Sequence, residues 1–475
     1  MNKRFTAYVS VVLGVLLTAG CAARWSAAPA VGTSVLPAQW LAPMLPHQGQ
    51  HSDLIDWWSR LGDPVLTELI VRAQTNSPSV ASARANLAAA RAAAAKTDAL
   101  NSPQLAAVAN LSRSKVDAEA PIGTTMGAGF QASWVIDLWG QSAAEMASAR
   151  AREQAAEAGW HEARVLVAGE VARLYVGQRL CQAQWTVARK DRDSREAVVR
   201  SSRVSEGVGL MAPAIRALAE AGYAEAQART QTQSEQCERQ IKALVALVAV
   251  PEPALRTQLQ SDWALTEMPS LVIPAVPADL LRQRPDVVRA ERQLLAAAED
   301  VGAARAALLP ALQLSGQWLR NQVSRTTGRT NFNTWTIGPL SVTLPLVGRA
   351  ALTGQVDAAQ AAYEAATVAY AATLRQAVAE VEQALVSLDK LAQRQAATDA
   401  ALSGYDQSLR ATEARYRVGL ASLPDLEDAR RLRLNADSSA ITLQQARFDT
   451  WVALYIALGG GFSLTQPAIE KPSAL

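Results

Sequence analysis

The sequence predicts a mainly α-helical chain with a transmembrane β part and an internal duplication, and three observations predict it. At FQASWVIDLWGQ, positions 130–141, a period-2 pattern hands over to a helical one. From Gly140 to the turn signal at Gly207 there is no proline, enough chain for a rod of roughly 100 Å at 1.5 Å per residue, far beyond a globular helix. The same handover recurs at TWTIGPLSVTLPLVG, positions 334–348, before a second proline-free run to about Tyr416.

Composition agrees. Across 475 residues the breakers are few and clustered, Gly 26 and Pro 21, so most of the chain must be helix. It is 49% hydrophobic yet only 5% aromatic, and the alanine that dominates the apolar share suits close helix packing. Lys+Arg 46 against Asp+Glu 43 leaves a net charge of +3, which gives no footprint for nucleic acid. No apolar run long enough for a helical membrane span follows the leader.

That leader occupies residues 1–20: Lys3 and Arg4 precede an apolar run from Tyr8 to Leu17, and Thr18, Ala19 and Gly20 lead to Cys21. It reads as an export signal. LLTAGC resembles a bacterial lipoprotein cleavage box, which would make Cys21 the acylated (palmitate-bearing) first residue of the mature chain; the alternative is an ordinary signal peptide with an incidental cysteine. Export places Cys181 and Cys237 in an oxidising compartment. Their numbers sum to 418, as do those of the turn residues Gly207 and Met211, so in an antiparallel hairpin the two cysteines sit level. A disulfide there needs unusually close helices. Two buried free thiols are the other reading.

Taken in order, residues 21–62 carry Pro29, Pro37, Pro43 and Pro46 without periodicity and read as an extended lipid-anchored arm. The first repeat spans 63–267. Trp57 and Trp58 anchor a short helix from about Pro64 to Gln74, and a second follows with Pro78 in its first turn and runs to about Leu100. A strand at about 103–114 turns Leu105, Ala107, Ala109 and Leu111 to one face. Across a polar loop, a strand at about 126–138 sets Met126, Ala128, Phe130, Ala132, Trp134, Ile136 and Leu138 against Gly127, Gly129, Gln131, Ser133 and Asp137. The long helix then reverses at a tip about 206–212 and returns from Pro213 to about Val250, where Pro251 and Pro253 stop it. The returning arm covers little more than half of the outgoing one, and the helix ending at Leu100 has the missing length.

A connector at 268–279 opens the second repeat, 280–461. Pro78, Leu87 and Pro103 recur as Pro285, Leu294 and Pro310 at an offset of 207, and Val208-Gly209-Leu210 recurs as Val418-Gly419-Leu420 at 210. A period this long is a duplicated domain, since solenoid repeats run about 20–50 residues. Its strands are expected at about 309–323 and 333–347, its tip at about 416–422, and a C-terminal tail at 462–475.

Four strands are too few to close a barrel, and an open sheet cannot stand in a bilayer, so strands that meet lipid imply an oligomer. Trp134, Trp139, Trp318 and Trp335 then suit an aromatic membrane girdle; the bland alternative is four surface strands packed on a soluble core. Catalysis has little support. The histidines are His47, His51 and His161, no cysteine–histidine cluster has metal-ligand spacing, and a passive rod needs no cofactor.

WWSRLGDPVLTELI at 57, SWVIDLWG at 133, LLRQRPDVVRAERQLLAAAEDVGAARAALLPALQLSG at 280, WTIGPLSVTLPLVG at 335, RYRVGLASLPDLEDA at 415 and ALGGGF at 457 together resemble the TolC/NodT-type outer membrane efflux factors. The resemblance implies a trimer, each chain giving four strands to a 12-stranded β-barrel and its helices to a long coiled-coil tunnel in the periplasm. It implies the passive exit duct of a tripartite drug or solute efflux system, whose partners are a periplasmic adaptor and, through it, an inner membrane pump. PLVGRAAL at 345 departs from the aromatic, acidic and glycine residues common in the family at that join. The tips Val208, Gly209, Leu210 and Val418, Gly419, Leu420 are expected to meet the adaptor. Asp425 and Asp428, three apart on one helix face, match the family's gate aspartates and Tyr416 its gate tyrosine. Against that gate, Ser422 with Asp425 also fits a capping box. Two further functions remain open: a duct for type I protein secretion, and a periplasmic coiled-coil adaptor or scaffold.

Overall fold

The computed structural model describes residues 41–42, 57–115, 122–260, 284–325 and 328–462. The leader, Cys21, His47, His51, most of the N-terminal arm, the connector at 268–279 and the tail beyond Phe462 lie outside these. Among the described residues nine helices and four strands follow in order: α1 (Trp57–Arg60), α2 (Pro64–Asn76), α3 (Pro78–Leu100), β1 (Gln104–Ser114), β2 (Gly123–Ile136), α4 (Gln141–Gly207), α5 (Pro213–Val248), α6 (Glu252–Gln258), α7 (Pro285–Ala306), β3 (Ala311–Arg325), β4 (Gly328–Thr343), α8 (Arg349–Arg417) and α9 (Leu423–Ala457). They divide into two compact units.

The first unit holds Arg84–Ala158 and Val288–Thr373. Its strands form one antiparallel sheet in the order β1-β2-β3-β4, so the second strand of the first repeat pairs with the first strand of the second. β1 and β4 are edges. Register puts Leu105, Phe130, Trp134, Leu314, Trp318, Trp335, Ile337 and Val342 on one face, the side chains for the most part exposed. The opposite face carries Gln131, Ser133, Gln317, Thr336 and Ser341. β2 starts at Gly123 and β4 runs from Gly328 to Thr343, where polarity suggested starts near 126 and 333 and an end near 347. Thr124, Thr125, Arg329 and Asn331 look like loop residues, yet the ladder needs only their backbone, and Arg325 pairs directly with Gly328.

Small residues let the helices of this unit approach. Ala94, Ala144, Ala151, Ala155, Ala158 and Ala298 are buried, while charged pairs line the margins: Arg91 to Glu153 at 3.4 Å, Arg150 to Asp98 at 3.1 Å. α3 thus supplies the partner that the first turns of α4 require. Ser148 donates to Asp300 of α7 at 2.6 Å, and Arg152 pairs with the same carboxylate.

The second unit comprises, of the described residues, 41–42, 57–83, 159–260, 284–287 and 374–462. Its core gathers Trp57, Leu66, Leu69, Val171, Tyr175, Leu244, Phe448 and Tyr455, with Trp57 stacked on Tyr455 at 5.1 Å. The Asp63 carboxylate caps α2 through the amides of Val65 and Leu66 and also accepts the Tyr175 hydroxyl at 2.6 Å. Burial first, and then that bond, push the Tyr175 phenol well above its ordinary range. Arg284, 4% exposed, donates to Asp286, Glu380 and the carbonyl of Ala457, so one guanidinium ties the start of α7 to α8 and α9. Gly169 lets α4 approach α9 closely: a Cβ there would lie 2.7 Å from Ile456 Cδ1, so that side chain would have to shift.

Within this unit the distal part of α4 pairs with α5. Cys181 and Cys237 are disulfide-bonded with Cα atoms 5.6 Å apart, and about two turns nearer the tip the Thr230 hydroxyl lies 3.2 Å from the Ala188 carbonyl. Ala249, in left-handed conformation, caps α5 before Pro251; α6 follows where the sequence had suggested only a stop. Replacing both cysteines, Cys181→Ala with Cys237→Ala, is expected to cost about 2–4 kcal/mol, read as a lower denaturant midpoint of the helical signal. Peptide mapping without reductant that finds both thiols alkylatable contradicts the bond.

Candidate functional site: hairpin tips and sheet face

Both tips are built by the same backbone device. Gly209 and Gly419 take φ of 76° and 74°, where a side chain on any other residue would be strained. At each, a Schellman motif closes the helix: Gly209 N–H to Glu206 at 2.9 Å with Leu210 N–H to Ser205 at 2.8 Å, and Gly419 N–H to Tyr416 at 3.0 Å with Leu420 N–H to Arg415 at 2.8 Å. The glycines therefore have a structural duty. The leucines do not, since in such a cap the residue after the glycine usually packs back on its helix, whereas Leu210 is 83% and Leu420 69% exposed. Val208 and Val418 are exposed beside them.

Beyond the tips the two hairpins diverge. Ser422 and Asp425 form a complete capping box, Ser422 Oγ accepting the Asp425 amide at 3.3 Å and Asp425 Oδ2 accepting the Ser422 amide at 2.9 Å. The Ser422 hydroxyl and then its amide hold the Asp425 carboxylate below the usual range. Asp428, one turn on and exposed, pairs with Arg431 at 2.7 Å. Tyr416 is exposed and enters the tip through its carbonyl. On the first hairpin Ala212 has no capping side chain, and the first acid of α5, Glu220, is engaged by Arg203 and Arg216, whose hydrogen bonds lower its pKa. The first turns of α9 thus carry acids, of which Glu427 and Asp428 pair with Arg430 and Arg431, where α5 carries none before Glu220.

A groove of ≈ 200 Å³ joins the hairpins, lined by Met211, Ile215 and Leu218 from the first and Leu423, Pro424 and Asp428 from the second. Sequence reading missed it, although the exposed apolar pair Ile215 and Leu218 at helical spacing in the first turns of α5 was a usable signal. Among the described residues no group of three His, Cys, Asp or Glu could hold a metal, and no helix is long and apolar enough to cross a membrane. His161 is half-buried, and desolvation followed by Arg164 lowers its pKa to about 4, which leaves it a neutral packing residue.

On the sheet, Phe130, Trp318 and Trp335 form one cross-strand row, with Phe130 and Trp318 stacked at 6.4 Å. Trp134 shares their face four residues nearer the helices. Trp139 lies past the end of β2, and its indole donates to the Pro310 carbonyl at 2.8 Å, joining the two repeats at the base of the sheet.

The profile of the family described as outer membrane efflux protein matches residues 69–250 and again 276–460. The chain is 27% identical to the pyoverdine export outer membrane protein OpmQ of Pseudomonas aeruginosa, over 98% of either chain. It is 26% identical to outer membrane protein OprJ of the same organism, over 96% of each. Among solved structures, the outer membrane protein VceC of Vibrio cholerae superimposes with a TM-score of 0.72 at 27% identity, covering 86% of this chain and 99% of that one.

Ser422→Ala should raise the Asp425 pKa toward the ordinary carboxylate value. Because the native pKa is depressed, the stabilisation it brings is present above the unfolded Asp pKa and is lost as pH falls through the native one. Carboxylate-resolved NMR titration of Asp425 checks this, and an unshifted value in the variant contradicts the capping assignment.

Proposed function

The chain belongs to the outer membrane efflux protein family, and we propose that it works as a homotrimer, a passive duct carrying solutes across the periplasm and the outer membrane. The observation that carries the reading is the four-stranded sheet with an exposed apolar face and two unpaired edges. Three copies supply twelve strands, close the edges and leave the polar face inward. Relatives named for pyoverdine export and antibiotic efflux favour small-solute efflux over protein secretion. A periplasmic adaptor docks at Val208, Gly209, Leu210 and Val418, Gly419, Leu420, linking the duct to an inner membrane pump, and acylated Cys21 anchors the mature chain to the membrane.

Within the trimer, threefold symmetry turns Asp425 and Asp428 into rings of like charge at the periplasmic end, with Tyr416 among the residues that hold the closed state. Capping and gating are compatible for Asp425, since its carboxylate stays ionised in the box. The reading is supported by where the acids stand: Asp425 and Asp428 lie in the first two turns of α9, whereas α5 has no acid before Glu220.

Single-channel recording in planar bilayers tests the duct, which should show a small cation-preferring resting conductance; no conductance in any state contradicts it. The Asp425→Ala, Asp428→Ala double variant should conduct more at rest and resist block by multivalent cations from the periplasmic side, whereas unchanged behaviour assigns both residues to local structure. Leu210→Glu with Leu420→Glu should abolish drug resistance in cells while the assembled protein persists. Full resistance in that variant counts against docking at the tips.

A further inference from the structure

The four strands contain no Asp, Glu or Lys and four arginines, Arg113, Arg320, Arg325 and Arg329. All four lie toward one end, the end where β1 turns to β2 and β3 to β4, away from the strand ends that join helices. Three of them share a face. Arg113, Thr124, Ser324 and Arg329 stand in one cross-strand row, and Arg320 stands two rows nearer the aromatics, beside Asn333. Alternation puts Arg113, Arg320 and Arg329 on the side that bears Phe130, Trp318 and Trp335, the side turned to lipid if the sheet closes into a barrel. Arg325 is on the other side, its stem 3.5 Å from where a Cβ on Gly123 would be.

Charge on a lipid-facing surface is costly unless a partner meets it. Among the described residues the four strands carry no carboxylate to pair with these arginines, and their flanking groups, Asn331, Asn333, Ser324 and Thr124, are hydrogen-bonding amides and hydroxyls. Guanidinium forks bind phosphate oxygens bidentately. The helices run into the periplasm, so this end of the sheet is the one nearest the cell exterior. We propose that the outward face of the sheet at this end is a binding site for the phosphorylated head groups of the outer-leaflet glycolipid, held by Arg113, Arg320 and Arg329. The site rests on the trimeric channel reading and is completed by it: closure sets β4 of one protomer beside β1 of the next, and Arg113 and Arg329 each lie one residue from the loop end of those edge strands. Apolar side chains below the aromatic row meet the acyl chains, and the arginines above it meet the phosphates.

Native mass spectrometry of the full-length protein released from detergent, titrated with bisphosphorylated lipid A or with the same lipid dephosphorylated, tests the assignment. The wild-type protein should bind the phosphorylated lipid at least about tenfold more tightly. That preference should disappear in the Arg113→Gln, Arg320→Gln, Arg329→Gln variant and persist in Arg325→Gln, whose side chain faces inward. A trimer without the preference, or a triple variant that keeps it, overturns the site alone. A protein that stays monomeric overturns the channel reading together with it.

Discussion

The constraint on which the rest depends is the unsatisfied backbone of β1 and β4. Peptide groups at a sheet edge have no solvent partner inside a bilayer, and each costs several kcal/mol if left unpaired there. One chain supplies four strands in an open antiparallel order, and its exposed apolar face has nothing within the unit to cover it. Duplication halves the problem, since β2 and β3 come from different repeats and pair along their length. The proposed trimer would settle the remainder. The polar inner face, the row of aromatics and the arginines beyond it acquire a common sense once the edges are closed.

A second constraint acts on the helices, which are too long to be held by an ordinary core. Their packing relies on alanine, on Gly169 against Ile456, and on charged pairs at the margins. Exposed pairs of this kind contribute little singly, so specificity of register falls to a few buried fixings: Tyr175 with Asp63, Arg284 with Glu380 and Asp286, and the Cys181–Cys237 bond. The bond lies in the first hairpin only. Identical glycine caps at the two tips are followed by different chemistry, a first turn without acids on α5 and a capping box with following acids on α9.

Much of this was legible in the sequence because periodicity is a local signal. The 67-residue run of α4 and the 69-residue run of α8 follow from missing breakers, and the level of Cys181 and Cys237 follows from arithmetic about one turn. Strand ends were less legible: Arg329, Asn331 and Asn333 are polar yet lie within β4, and polarity imitates a loop. Trp139 was grouped with Trp134, Trp318 and Trp335 by residue type, but its indole answers to a carbonyl 171 positions away. The Tyr175–Asp63 bond and the Arg284 ties to Glu380 and Ala457 were invisible for the same reason, as each joins segments distant in sequence.

The most direct test of edge closure is residue-resolved hydrogen exchange on the protein reconstituted in lipid. In β1, alternate amides face β2 and the remainder face the edge, and β4 is arranged likewise against β3. If three chains close a barrel, the edge-facing amides of Gln104–Ser114 and Gly328–Thr343 are protected as strongly as those between β2 and β3. Edge-facing amides that exchange at the rate of an unpaired chain, while the β2–β3 ladder stays protected, would contradict the account.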